Sequence, residues 1–132
     1  MTRAGVDSWL AAYVAAWKSY DPGEIAALFS ADVAYRYHPF DEPIAGRDAV
    51  VEAWLGEGGH EGASSRDPEG TYDAEYRAVA VDGDVAVATG RSWYLDAPGG
   101  ETNQVFHNAF VMRFDEEGRC SEFTEWFAEE PG

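Results

Sequence analysis

Four polar side chains, His38, Tyr13, Asn108 and Glu125, are of the types that move a proton inside an apolar pocket. An unperturbed imidazole titrates near neutrality, so His38 can take and return a proton at ordinary pH. The alternative is a solvent-facing ring packed on Pro39. Tyr13 shares a helix face with Trp9 and Trp17 at four-residue steps, a pattern that serves a core stripe or a phenol donor facing a pocket. Strand alternation sorts the other two: if Phe106, Phe110 and Phe114 face inward, so does Asn108, and if Phe123 and Phe127 do, so does Glu125. A polar group among aromatics needs a partner, because leaving it bare costs about 1–3 kcal/mol. Either the pair is a ligand-orienting amide beside a carboxyl raised in pKa by burial, or it ties sheet to helix. His107 alternates with Asn108 and falls on the opposite face.

Other chemistries find less to work with. His38, His60 and His107 lack metal-ligand spacing, Asp41 and Glu42 read as solvated turn acids, and no triad or nucleophile elbow occurs. Neither a metal nor a cofactor is expected. Arg91 and Arg113 fall in phase with outward positions, which argues against an internal Asp–Arg–Asp set. The net charge is −16, from nine Lys plus Arg against twenty-five Asp plus Glu. That field repels phosphate backbones and anionic lipid, so neither nucleic acid nor a membrane is an expected partner. Cys120 is the only cysteine, which excludes an intrachain disulfide. The first thirty residues carry Asp7, Asp21 and Glu24 and no continuous apolar run, so a cytoplasmic location is the default expectation.

These side chains need elements to hold them. Trp9, Leu10, Tyr13, Val14 and Trp17 recur at three- and four-residue spacing and predict a helix over Val6–Tyr20. Asp21-Pro22-Gly23-Glu24 then predicts a capped start for a second helix, running to about Phe29. Val33–His38 reads as a strand, Pro39 and Pro43 frame a turn, and Arg47–Leu55 reads as a third helix. Gly56–Gly70 has no period and reads as a loop. Asp82-Gly83-Asp84 joins strands Tyr72–Val81 and Val85–Leu95, and Asp115–Gly118 joins Gln104–Phe114 and Arg119–Phe127. The expectation is one domain over 1–132, of class α+β. A curved, cone-shaped, barrel-like antiparallel sheet wraps a long N-terminal helix, with three helices in all. Five Trp, seven Tyr and seven Phe are enough to line a cavity in it.

Trp17…Asp21, Leu28-Phe29-Ser30-Ala31-Asp32-Val33, Pro39…Pro43…Gly46 and Phe114-Asp115-Glu116-Glu117-Gly118-Arg119 resemble the nuclear transport factor 2-like superfamily, within it the SnoaL-like branch. The resemblance runs from Trp9 to Phe127. That superfamily holds isomerases, polyketide cyclases, epoxide hydrolases, dehydratases and non-catalytic binders, so the fold does not fix the activity. Similarity to ketosteroid isomerase, a distant member, implies that Tyr13 takes the oxyanion-hole tyrosine position. The base position falls on Tyr37 by count and on His38 by the following proline, and the second donor position falls on Phe110, which cannot donate.

The expectation is therefore a small-molecule pocket protein, cofactor-independent, whose partner is a small hydrophobic molecule. One reading is acid–base isomerisation, cyclisation or dehydration of a hydrophobic carbonyl or polyketide-like compound. His38 is then the proton carrier, Glu125 its charge partner and Tyr13 the electrophilic donor. The other is a non-catalytic ligand-binding or accessory domain. In both, Trp17, Tyr37, Trp54 and Asn108 contact the ligand, with Phe110, Phe123 and Phe127 as apolar wall. A homodimer through the outer sheet face is expected, because Val87, Trp93, Val105 and Val111 point outward.

Overall fold

The structure, a computed structural model, describes residues 1–57 and 66–132; His60 and most of the 56–70 loop lie outside the described residues. Helix α1 spans Arg3–Ser19 and starts at Thr2, whose side chain accepts from the Gly5 N–H. It ends at Tyr20, a non-glycine residue with φ of +50°. Helix α2 spans Pro22–Ala27 and is capped by Asp21, which accepts from the Glu24 N–H at 3.0 Å. The Glu24 carboxylate does not close a capping box. It accepts instead from Ser19 Oγ, which in turn accepts the Asp21 N–H.

The second helix is shorter than its sequence suggests, and strand β1 begins early, spanning Phe29–Arg36. The cause is tertiary. The Leu28 carbonyl accepts from Trp9 Nε1 at 2.9 Å and from the Cys120 N–H at 2.8 Å, which draws the chain out of the helix. Phe29 is then fully buried opposite Cys120. The rest follows as β2 (Ile44–Ala45), α3 (Arg47–Trp54), β3 (Tyr72–Asp82), β4 (Val85–Leu95), β5 (Thr102–Phe114) and β6 (Cys120–Glu129).

The sheet order is β2-β1-β6-β5-β4-β3. It is mixed rather than antiparallel throughout, because β6 returns beside β1 in the same direction. It also stays open, ending at β2 and β3, and is a curved sheet rather than a closed barrel. The edge strand β3 is covered by α1, where Asp7 Oδ1 accepts the Ala78 N–H at 2.7 Å beside a register shift. Trp9, Tyr13, Phe29, Phe110, Phe114 and Phe123 form the aromatic centre of the core beneath the helices. No described helix is long and apolar enough to cross a membrane.

The two strands of the β3–β4 hairpin press together at one point. A Cβ on Gly90 would lie 2.0 Å from the Glu75 carbonyl oxygen and 2.7 Å from Tyr76 Cα. Only glycine lets β3 fold over β4 here, and Tyr76 leans across the bare backbone into the space enclosed by the sheet. Gly90→Ala should therefore destabilise the protein by about 1–3 kcal/mol, read as a lower urea midpoint. An unchanged midpoint would contradict this close approach.

Candidate active site

Inside the curve of the sheet lies a cavity of about 390 Å³. Tyr13 from α1, Trp54 from α3 and Tyr35 from β1 form its deep end, with Tyr13 edge-on to Trp54 at 5.2 Å between ring centres. Of the seven tyrosines in the chain, six line this space: Tyr13, Tyr20, Tyr35, Tyr37, Tyr76 and Tyr94. Burial lifts the phenols of Tyr13 and Tyr35 well above their ordinary range, and raises those of Tyr37, Tyr76 and Tyr94 too. They remain neutral hydroxyls, able to donate to a ligand oxygen.

One polar chain crosses the cavity wall. Ser92 Oγ donates to Asn108 Oδ1 at 3.0 Å, and Asn108 Nδ2 donates to Glu125 Oε2 at 2.7 Å. The strand register explains the diagonal. Ser92 stands opposite Phe106, Asn108 opposite Phe127 and Glu125 opposite Phe110. Each polar residue faces a phenylalanine directly, so it meets its polar partner two residues along the neighbouring strand. The carboxyl is held among apolar rings by a buried amide that is itself held.

That setting controls Glu125. Burial is the dominant effect and raises its pKa from the ordinary 4.5 to about 7, against smaller lowering effects from the Asn108 hydrogen bond and the His38 ring. Its side chain lines the cavity and is partly accessible.

His38 sits at the mouth with its side chain 31% exposed. Its ring stacks on Phe40 at 5.5 Å and lies 5.5 Å from the Phe127 ring. The carboxylate bonded to His38 is Asp41 rather than Glu125: His38 Nδ1 and Asp41 Oδ2 are 2.8 Å apart. The pairing follows from the turn, where the Asp41 N–H donates to the His38 carbonyl and brings the two side chains to the same side.

The far end of the cavity holds a second acid. Asp67 Oδ2 accepts from Trp17 Nε1 at 3.0 Å and from the Tyr20 hydroxyl at 3.4 Å, and the Asp67 N–H donates back to that hydroxyl at 2.8 Å. Burial raises its pKa. The left-handed backbone at Tyr20, uncommon for an aromatic residue, is where α1 ends and the ring turns to line the cavity. Trp54 Nε1 is buried without a hydrogen bond of good geometry, beside the Tyr35 hydroxyl that it still influences as a donor.

Tyr13, Trp17, Tyr37, His38, Trp54, Asn108, Glu125 and Phe127 all line this one cavity. Phe110 and Phe123 do not. Both are fully buried, packed on Tyr13 at 5.8 and 5.7 Å, and support the deep end from below. Alternation applied to β4 and β1 would also have found Ser92, Tyr94 and Tyr35, which share phase with Gly90 and Tyr37. Asp41 and Asp67 lie in segments without period, where no sequence pattern marks them. His107 and Arg91 are exposed on the opposite face, His107 bonded to Glu130 at 2.7 Å. Among the described residues no group of three or more His, Cys, Asp and Glu is placed to hold a metal ion.

A curved open sheet enclosing an aromatic cavity against three N-terminal helices is the architecture of the nuclear transport factor 2-like superfamily. The sequence profile of the SnoaL-like domain matches residues 10–123, and the chain belongs to that family. A crystal structure of a protein from Kribbella flavida DSM 17836, provisionally assigned as a ketosteroid isomerase, has the same fold. It superposes with a TM-score of 0.66 at 18% identity, over 98% of this chain and 82% of that one. At that identity the likeness speaks for the fold alone. No curated protein matches the chain.

The raised pKa of Glu125 has a sign that stability can read. Between about pH 4.5 and 7 the folded protein holds a proton that the unfolded chain has released. The stability this group contributes is full below 4.5 and is lost as pH rises through 7. Glu125→Gln carries no charge and escapes the loss. At about pH 8 the variant should be more stable than the parent by up to about 3 kcal/mol in urea unfolding, with the difference gone near pH 4.5. A variant less stable at the higher pH would contradict a carboxyl held in this state by burial.

Proposed function

We propose that the protein is a cofactor-independent acid–base enzyme acting on a hydrophobic carbonyl compound, with Glu125 as its proton carrier. The observation that carries this reading is a carboxyl with pKa about 7, fixed by Asn108 on the wall of an aromatic cavity. A general base works best with a pKa near the working pH, and burial supplies that here. Glu125, as carboxylate, takes a proton from the carbon beside the substrate carbonyl, and the electron pair of that C–H bond becomes the enolate. The neutral Tyr13 phenol donates a hydrogen bond to the developing oxyanion. Returning the proton to another carbon gives isomerisation, attack of the enolate on a second carbonyl with the proton passed to the new alkoxide gives ring closure, and expulsion of a β-hydroxyl that takes the proton and leaves as water gives dehydration. Trp17, Tyr37, Trp54, Asn108 and Phe127 contact the substrate, with Phe110 and Phe123 fixing the Tyr13 ring from beneath. His38, paired with Asp41 at the mouth, exchanges the proton with water.

Conversion of a hydrophobic β,γ-unsaturated ketone to its conjugated isomer, followed by ultraviolet absorbance, tests this directly. Glu125→Gln should lower the rate by at least about 100-fold, and His38→Ala by less. Asn108→Ala should move the rising limb of the pH–rate profile to higher pH, because the donor that favours the carboxylate is gone. One observation favours the alternative of a non-catalytic binding domain: Phe110, fully buried, supplies no second donor to an oxyanion. Quenching of tryptophan fluorescence by the ketone with no turnover would select that alternative.

The proposed assembly is a homodimer across the outer face of β4–β6. Val87 stands opposite Val111, Trp93 opposite Val105 and Ala109 opposite Trp126, leaving Val111 and Trp126 at 40% and 43% exposure. Sedimentation at micromolar concentration should give the dimer mass, and Trp126→Glu the monomer; a monomeric parent would count against it.

A further inference from the structure

The polar chain on the cavity wall has a direction. An amide carries an acceptor at one end and donors at the other, and the two ends have nearly the same shape, so shape alone does not choose which way round Asn108 stands. The Ser92 hydroxyl makes the choice. It donates to Oδ1 at 3.0 Å, which leaves Nδ2 facing Glu125 Oε2 at 2.7 Å. Ser92 and Asn108 are both buried, so bulk water does not compete for either end of the amide. The neutral Tyr76 phenol lies beside the same hydroxyl and can donate to its oxygen, which leaves the Ser92 hydrogen for Oδ1. Turned the other way, Asn108 Oδ1 would meet an ionised Glu125 as one acceptor against another, with no hydrogen between them. That orientation becomes favourable only when Glu125 is protonated and its own O–H donates to Oδ1.

The two oxygens of Glu125 are consequently unlike. Oε2 is occupied by the amide. Oε1 has no donor among the described residues, yet it is not a buried unpaired atom, so it keeps accessible surface on a side chain that lines the cavity. We infer that Ser92 is a positioning residue: by holding the Asn108 amide in one orientation it keeps Oε2 engaged in both protonation states of Glu125, so that the exchangeable proton sits on Oε1 and faces the cavity. An amide free to turn would meet the protonated carboxyl with Oδ1 and draw the proton into the wall, away from a ligand. The titratable groups that face Glu125 are Tyr13 from α1, Tyr35 from β1, Tyr37 and His38 just beyond it, Tyr76 from β3 and Tyr94 from β4. Burial keeps the five phenols neutral, and among the described residues the Asn108 side chain bonds to Ser92 and Glu125 alone. This deepens the acid–base reading by naming the atom that exchanges a proton with the ligand, and it rests on that reading only for the use made of the proton.

NMR of the full chain, free of ligand, tests it without turnover. In the parent the Asn108 side-chain N–H hydrogens should show nuclear Overhauser contacts to the Glu125 methylene groups at about pH 5 and at about pH 9, on either side of the Glu125 midpoint. In Ser92→Ala those contacts should persist at the higher pH only, because the released amide turns once Glu125 is protonated. The turned amide favours the acid form, so the Glu125 midpoint in Ser92→Ala should rise by at least about 0.5 pH, roughly a threefold change in its ionisation constant. All six facing groups are common to parent and variant, so the difference belongs to Ser92. An amide that turns with pH in the parent overturns the inference. So does a Ser92→Ala midpoint equal to the parent's, even where the variant melts earlier, since a merely structural serine would lower stability and leave the titration alone. Ketone turnover by the parent together with an unmoved Ser92→Ala midpoint would remove this inference and leave the acid–base reading standing; a raised midpoint without turnover would do the reverse.

Discussion

A carboxyl group among aromatic rings must have a donor, and the donor to Glu125 is the Asn108 amide, 2.7 Å away. Much of the molecule is arranged to make that contact possible. Asn108 needs its own oxygen occupied, which Ser92 does from the next strand. The three residues meet diagonally because phenylalanines hold the direct register positions. The diagonal opens onto a cavity because Gly90, directly opposite Asn108, lets β3 fold inward and brings Tyr76 over the bend.

The same arrangement separates structural from chemical aromatics. Phe29, Phe110 and Phe123 are fully buried and carry no polar tip, and they pack against one another or the helices. Six of the seven tyrosines, with Trp17 and Trp54, lie one layer nearer the cavity. Desolvation keeps the phenols neutral while it brings the Glu125 carboxyl to the edge of ionisation. One physical effect therefore yields donors and a base in the same space.

Helical and strand periodicity made most of the fold legible in the sequence. The α1 stripe, the β3–β4 turn and the β5–β6 turn carry strong local signals, and the inward phase of Asn108 and Glu125 followed from the phenylalanines around them. What escaped had no local cause. Strand β1 starts at Phe29 because Trp9 and Cys120 claim the Leu28 carbonyl from distant parts of the chain. The partner of His38 is Asp41 because a turn folds one onto the other, whereas alternation pointed to Glu125. Asp67 lies outside any regular element and reaches the cavity through bonds to Trp17 and Tyr20, forty-seven or more residues away. Periodicity reports which face a residue takes, but not which loop will lie against that face.

The central claim is that Glu125 is a buried proton carrier poised near neutrality, and its own titration decides it. Carbon-13 NMR of the side-chain carboxyl groups, with Glu125 assigned through Glu125→Gln, should show one glutamate with a midpoint near 7, moving higher in Asn108→Ala. A midpoint near the ordinary 4.5 that ignores the loss of Asn108 would contradict it.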